Sequence, residues 1–127
     1  YIFLNKLNTL LESELSNPNL DIDDIATRLG YSRSVFYRRI KALTNIAPND
    51  FLRTYRLKRA AEMLTSSSAS LSEVSDRTGF SSYSYFSKVF KKQFGLSPKD
   101  YRAKDLNIEH WHLNFVITLP HCQSVIS

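Results

Sequence analysis

Two sets of hydroxyl-bearing and basic residues stand 50 positions apart in this chain. The first set is Ser34, Tyr37, Arg38 and Lys41, and the second is Ser84, Ser87, Lys88 and Lys91. In each set the spacing i, i+3, i+4, i+7 places the four side chains on one face of a helix. Hydroxyl, guanidinium and ammonium groups donate hydrogen bonds. Both faces therefore have the chemistry of binding an anionic or acceptor-rich surface.

The positive charge of the chain is concentrated around these two sets. Segments 31–59 and 83–104 hold 14 of the 17 lysines and arginines but only two of the 12 acidic residues. Residues 1–30 carry two basic and five acidic residues, so this end is expected to face away from a polyanion. Cations clustered on chosen elements are typical of binding to nucleic-acid phosphates. An ordinary solvated basic face is less expected to occur twice at equivalent positions.

The residues around the two sets are repeated as well. The segment DIDDIATRLGYS at 21–32 returns as SLSEVSDRTGFS at 70–81, and each copy leads into an aromatic and basic helical pattern followed by a proline. Units this short cannot bury a core alone, which indicates two similar units packed as a pair. Each unit is typical of a homeodomain-like helix-turn-helix, whose second helix fits the DNA major groove.

The two copies differ by one inserted residue. They align at an offset of 49 through Ser32 and Ser81, and at an offset of 50 from Phe36 and Phe86 onward. The second helix of each helix-turn-helix, which fits the major groove, is its reading helix. We expect the insertion near the start of the reading helix of the second unit, where it could tilt that helix.

The helical periodicity predicts an all-α fold, a seven-helix tandem helix-turn-helix joined by a long linker helix. The units are residues 1–47 and 66–104, the linker is 48–65, and residues 105–127 form a tail. The residues with the character of N-terminal caps are Asp21, Ser32, Ser70 with Glu73, and Ser81. The expected helices are Phe3–Ser16, one after Asp21, Arg33–Asn45, Pro48–Leu64, one after Ser70, Ser82–Phe94 and Pro98–Lys104.

The apolar positions of these helices define a predicted core. On the reading helices it consists of Phe36, Ile40, Leu43, Phe86 and Phe90. The supporting helices contribute Leu4, Leu7, Leu11, Leu15, Ile22, Ile25, Ala26, Leu29, Leu71, Val74 and Thr78. In the linker, Leu57, Ala60, Ala61 and Leu64 form the expected inward seam, with Arg53, Arg56, Lys58 and Arg59 on the remaining surface. We expect a spacer between two reading helices, which enter successive major grooves when about 34 Å apart.

The outward residues predict how each reading helix would contact DNA. Arg38 can form a bidentate pair with guanine O6 and N7, worth about 1–3 kcal/mol of discrimination. Tyr37 offers a hydroxyl or a ring edge to a thymine methyl group. Lys41, Lys91 and Lys92 lie further along their helices and are expected at phosphates.

The segment GFSSYSYFSKVFKKQFGLSPKDYR, from Gly79 to Arg102, resembles the AraC/XylS-type DNA-binding domain. The resemblance covers about residues 5–103. It implies two helix-turn-helix units that bind tandem major grooves of double-stranded DNA, in a domain that commonly ends a transcription activator. The first unit is most similar to the output domain of hybrid two-component regulators, in which a sensor, a kinase and a receiver precede it. Such a regulator implies RNA polymerase as a second partner.

The resemblance also implies which residues contact DNA. Base reading is expected from Ser34, Tyr37, Arg38, Tyr83, Ser84, Tyr85 and Lys88. Phosphate contacts are expected from Arg33, Lys41, Ser87, Lys91 and Lys92. The chain departs from the family pattern where Ser75 replaces the usual alanine between the helices of the second unit. The second reading helix is also poor in arginine, so we expect the first to carry more specificity.

Other function classes are less well supported. The chain has no Gly-rich phosphate loop, no HExxH and no Ser or Cys paired with a His in the repeated core, so neither an enzyme nor a cofactor is predicted. No 18-residue apolar run is present, the N-terminus is not signal-like, and Cys122 is the single cysteine, which together favour a cytoplasmic protein.

Two alternative functions remain. One is a helical module that docks on a protein such as RNA polymerase, and the other is a sequence-independent nucleoid-type DNA binder. Because the first residue is Tyr1, we expect a fragment of a longer regulator.

The tail at 105–127 follows none of these patterns. Three of its residues are histidines and one is Cys122, which are natural zinc ligands. Their spacing matches no known zinc site, so no metal is predicted. We expect a disordered or artificial extension, with an edge strand or a partner-docking segment as the alternative.

Overall fold

The computed structural model describes residues 2–104, which form seven helices and no strand. The helices are α1 Ile2–Ser13, α2 Ile22–Leu29, α3 Arg33–Thr44, α4 Pro48–Ser66, α5 Leu71–Arg77, α6 Tyr83–Phe94 and α7 Pro98–Ala103. The predicted all-α tandem arrangement is confirmed. α1 ends at Ser13, before the predicted Ser16, and is followed by turns at residues 14–16. α4 continues to Ser66, past the expected Leu64. The predictions about the tail lie outside the described residues.

Local capping explains where most helices begin. The Asp21 carboxylate accepts a hydrogen bond from the Asp24 amide at 2.8 Å, and Ser32 caps α3 in the same way. Ser70 and Glu73 form the predicted capping box at the start of α5. Each cap satisfies an amide that the helix itself leaves unpaired. These boundaries follow from residues that are neighbours in the sequence.

The start of α6 differs from the prediction. Ser82, not Ser81, is the N-terminal cap, and its side chain accepts from the Tyr85 amide at 3.3 Å. Ser82 stands 50 positions after Ser32, so α3 and α6 begin in equivalent register. The inserted residue therefore lies in the turn before α6. Equivalent residues of α3 and α6 therefore occupy equivalent positions in the two helices. Because the extra residue lies outside α6, it gives no reason for α6 to tilt.

Two hydrophobic clusters make up the core, and α4 belongs to both. Phe51 and Tyr55 join the first cluster with α1, α2 and α3. Leu57, Ala60, Ala61 and Leu64 join the second, as their predicted inward seam requires. The 19-residue helix α4 thus packs its N-terminal part against the first unit and its C-terminal part against the second unit. Such a helix cannot shift relative to one unit without disturbing the packing of the other.

Four of the predicted core residues are not fully buried, among them Leu29 and Leu71, which are half-buried. Phe3 is buried in α1, whereas Leu4 is only half-buried. Leu43 is 38% exposed, and Thr44 takes its place in the core. The Thr44 hydroxyl donates to the Ile40 carbonyl oxygen at 2.7 Å, so its polar group costs little when buried. Phe36, Ile40 and Thr44 follow one i, i+4 row, and Leu43 lies to its side.

Ser75 provides a test of stability. Its side chain is 1% exposed, and its hydroxyl has no hydrogen-bond partner in the described part of the chain. Because an unpaired buried hydroxyl is unfavourable, Ser75→Ala is expected to raise the free energy of unfolding by about 1 kcal/mol. Urea denaturation would measure it. Ala26 is the equivalent residue of the first unit and is equally buried, so Ala26→Ser is expected to have the opposite effect. A destabilised Ser75→Ala protein would show that the hydroxyl is bonded.

Candidate nucleic-acid interface

The reading face of α3 is exposed as predicted. Ser34, Arg38 and Lys41 are all exposed, while Phe36 and Ile40 on the opposite side are at most 1% exposed. The Arg38 Nε group donates to the Ser34 carbonyl oxygen over 3.4 Å, a long and weak contact. Its guanidinium group is therefore available to a partner. The geometry suits a bidentate donor held on a rigid helix.

Tyr37 is placed differently from the rest of the predicted stripe. It is half-buried and packs against the first cluster, so only a part of its side chain faces outward. Arg33 stacks on its ring with the guanidinium carbon 5.1 Å from the centroid, and donates to its hydroxyl at 3.4 Å. Arg33 also pairs with Asp23 at 3.4 Å. The Tyr37 hydrogen bond and then Asp23 raise the pKa of Arg33, which remains an exposed cation.

The structure adds two residues to the α3 face. Val35 and Ala42 lie three residues before and four residues after Arg38, which places them on its side of the helix. Ala42 is exposed and Val35 is half-buried. Apolar side chains on such a face can contact thymine methyl groups. The sequence pattern missed them because a search for polar and basic residues passes over small aliphatic ones.

The equivalent face of α6 carries lysines instead of arginines and is more aromatic. Its exposed polar residues are Ser84, Lys88, Lys91 and Lys92. Ser87 is half-buried, so it is less exposed than the predicted outward position implies. Tyr83 is 39% exposed and Tyr85 is 50% exposed. The ring of Tyr83 lies 5.9 Å from Phe86, and that of Tyr85 lies 6.3 Å from Phe80. Both tyrosines therefore rest on core phenylalanines, which limits the freedom of their rings.

Arg56 connects the two units through the interior. The prediction that Arg56 and Lys58 lie on the surface is wrong, since they are 6% and 8% exposed. Arg56 donates from Nη1 to the carbonyl oxygens of Leu15 at 2.6 Å and Thr78 at 2.8 Å, and from Nη2 to that of Asn17 at 2.9 Å. The first and third acceptors follow α1, and the second ends α5. Burial lowers the pKa of Arg56. Three carbonyl oxygens take the place of a carboxylate partner.

Gly79 makes room for this connection. Its φ angle of +85° favours glycine. A Cβ atom at this position would stand 1.4 Å from Arg56 Nη1 and 2.6 Å from the Leu15 carbonyl oxygen. The turn of the second unit therefore approaches the end of α1 so closely that no side chain fits between them.

Within residues 2–104, no helix is long and apolar enough to cross a membrane, and no group of histidine, cysteine or acidic residues is placed to hold a metal ion. The candidate interface thus consists of two exposed helix faces, each backed by its own hydrophobic cluster, and a buried bridge joins the two units. Such a pair of faces defines a tandem helix-turn-helix protein of the nucleic-acid-binding class.

Comparison with known proteins identifies the family. A family model described as a helix-turn-helix domain matches residues 11–104. The DNA-binding domain of AdpA, a global transcriptional factor solved in complex with a target DNA, is 35% identical with a TM-score of 0.71, over 79% of this chain and 89% of that one. An AraC-type DNA-binding regulator from Chromobacterium violaceum is 30% identical with a TM-score of 0.73, over 81% and 91%. The chain belongs to the AraC-type family of helix-turn-helix DNA-binding transcription regulators.

A longer relative is also similar to this chain. The protein named Histidine kinase P4 from Formosa agariphila is 38% identical over 101 residues, which is 80% of this chain but 7% of that protein. The chain spans between 7% and 37% of the length of the first curated relatives it matches. The similarity therefore concerns only a part of each of those proteins.

Proposed function

We propose that this domain binds a specific double-stranded DNA site by placing α3 and α6 in two successive major grooves. The observation that carries the proposal is the equivalent register of the two helices, which both begin one residue after a serine cap, at Ser32 and Ser82. Each then presents an exposed, basic or neutral face. The division into units 1–47 and 66–104 around a linker at 48–65 is supported by the two clusters that α4 joins.

The two faces are expected to contribute differently. Arg38 is the exposed guanidinium of α3 and the best candidate for a guanine contact, with Ser34, Val35 and Ala42 beside it. On α6, Lys88 takes the place of Arg38, and Tyr83, Ser84 and Tyr85 supply hydroxyl groups near the helix start. Lysine lacks the planar fork that pairs with guanine O6 and N7. The first half-site should therefore be read more strictly than the second.

In vitro selection from random duplex DNA at near-physiological salt tests the proposal. We expect an enriched site with two blocks about one helical turn apart. Arg38→Ala should lose selection at a guanine of one block, with an affinity loss of about 1–3 kcal/mol for that site. Lys88→Ala should relax selection in the other block, with a smaller loss of affinity than Arg38→Ala.

Lys6→Ala is the matched control, because Lys6 is an exposed cation on α1 at the acidic end of the domain. It should leave the selected site and its affinity unchanged. A pool that never enriches, bound equally by all variants, would rule out specific readout. Binding would then be electrostatic only, or the partner would be a protein.

We further propose that the domain is the output module of a hybrid two-component regulator and that it activates transcription through contact with RNA polymerase. The support is the similarity to Histidine kinase P4 over 80% of this chain. Transcription in vitro from a promoter carrying the selected site should rise when the regulator is added. A fall in transcript would identify a repressor.

A further inference from the structure

A cleft separates α4 from α6 beside the second reading face. It has a volume of about 370 Å³ and is lined by Arg53, Leu57, Tyr85, Val89, Lys92 and Gln93. A second cleft of about 330 Å³ is also lined by Arg53 and Tyr85. These two side chains therefore stand where the clefts meet. Two cations and a phenol surround a small apolar floor formed by Leu57 and Val89.

The cleft adjoins the face that would enter the major groove. Tyr85 and Lys92 lie three residues before and four residues after Lys88, so all three share one side of α6. With that side in a groove, the strand that borders the groove on the α4 side must pass over the cleft. Arg53 is the cation that α4 presents there. It is 41% exposed, so its guanidinium group is accessible to that strand.

Asp50 positions Arg53 without exhausting its hydrogen-bonding capacity. The carboxylate accepts from Arg53 Nη2 at 2.7 Å. A guanidinium group has five N–H donors, so the remaining ones can bind a second anion while this bond is kept. The bond also limits the rotamers of Arg53, which lowers the entropic cost of a further contact.

We infer that Arg53 of α4 and Lys92 of α6 bind one phosphodiester group of the DNA backbone at this cleft. The contact is independent of base sequence and lies beside the second major groove. It rests on the proposed function, because it requires α6 to lie in a groove. It gives the linker helix a direct part in binding, in addition to its role as a spacer.

The salt dependence of binding tests this site. Arg53→Gln should weaken binding to the selected site and to unrelated duplex DNA alike, by about tenfold at 0.1 M salt. It should also reduce the slope of log K against log salt by about one. Arg53→Lys keeps the charge and should largely retain the slope. Thermal unfolding should show both variants folded.

Arg77→Gln is the matched control. Arg77 is also an exposed helical arginine paired with an acidic residue of its own helix, Glu73, but it lies on α5 away from this cleft. It should leave the salt slope unchanged. A wild-type slope in Arg53→Gln, or a loss confined to one base position, would overturn the phosphate site. If the wild-type protein selects no site, the proposed function fails instead.

Discussion

Gly79→Ala is expected to lower the free energy of unfolding by about 3–5 kcal/mol. A residue with a Cβ atom pays about 1–2 kcal/mol in the left-handed region that Gly79 occupies. The new Cβ atom would also collide with Arg56 Nη1 and with the Leu15 carbonyl oxygen. Displacing the guanidinium group breaks charged hydrogen bonds worth about 1.5–3 kcal/mol each. Urea denaturation and calorimetry would measure the loss.

Gly30→Ala separates these two causes. Gly30 is the equivalent glycine of the first unit, with a φ angle of +81°, yet a Cβ atom there would meet no atom within 4 Å. Gly30→Ala should therefore lose only the conformational cost of about 1–2 kcal/mol. Equal losses in the two variants would mean that the close approach of Gly79 to Arg56 contributes nothing.

Replacement of Arg56 by methionine should relax the spacing that the protein demands between its two half-sites. Methionine keeps an unbranched apolar chain but leaves the carbonyl oxygens of Leu15, Asn17 and Thr78 without their donor. Buried carbonyls without partners cost about 1–3 kcal/mol each, so we expect a stability loss of about 3 kcal/mol or more. The units would remain joined by α4, but less rigidly.

Binding to a series of sites with one base pair added or removed between the blocks would measure this effect. Wild-type protein should lose most of its affinity when the spacing changes, because a rigid pair of helices must then deform the DNA at a cost of a few kcal/mol. Arg56→Met should lose less with each change. Its affinity for the optimal site should fall as well, since the units are no longer pre-oriented.

Arg59→Met is the control for this experiment. Arg59 is the next arginine along α4, but it bonds to Glu12 and to the Tyr55 hydroxyl, both within the first unit and the linker. It should change stability modestly and leave the spacing preference intact. If Arg56→Met shows the wild-type preference, the packing of α4 in both clusters alone sets the distance.

The exposed polar faces of α3 and α6 could be predicted from the sequence. Ser34, Arg38, Ser84 and Lys88 follow a helical period opposite the buried phenylalanines, and the repeat marks them twice. A period and a cap are both local, because they depend on residues within one or two turns. The same reasoning located α2, α3 and α5 almost to the residue.

The polar residues that join elements could not be predicted in this way. Periodicity predicts Arg56 on the surface because it follows the charged side of α4, and the repeat predicts Ser81 as a cap because it aligns Ser81 with Ser32. Arg56 is buried because both units close over that side of α4, and the segments that follow α1 and α5 supply the carbonyl oxygens of Leu15 and Thr78. The spacing of apolar residues predicts which face of a helix is buried, but it does not predict whether a second element also covers the polar face.

By itself the sequence determined the order of the helices, most of their caps, the two exposed polar faces and the family pattern, since each arises from short-range spacing. The tertiary structure alone decided that Arg56 bridges the units, that Gly79 must lack a side chain, and that Arg53 lies beside Lys92 across a cleft. The residues in these contacts are separated by between 22 and 41 positions where hydrogen bonds join them. Contacts at such distances depend on how the helices pack, which no local pattern specifies.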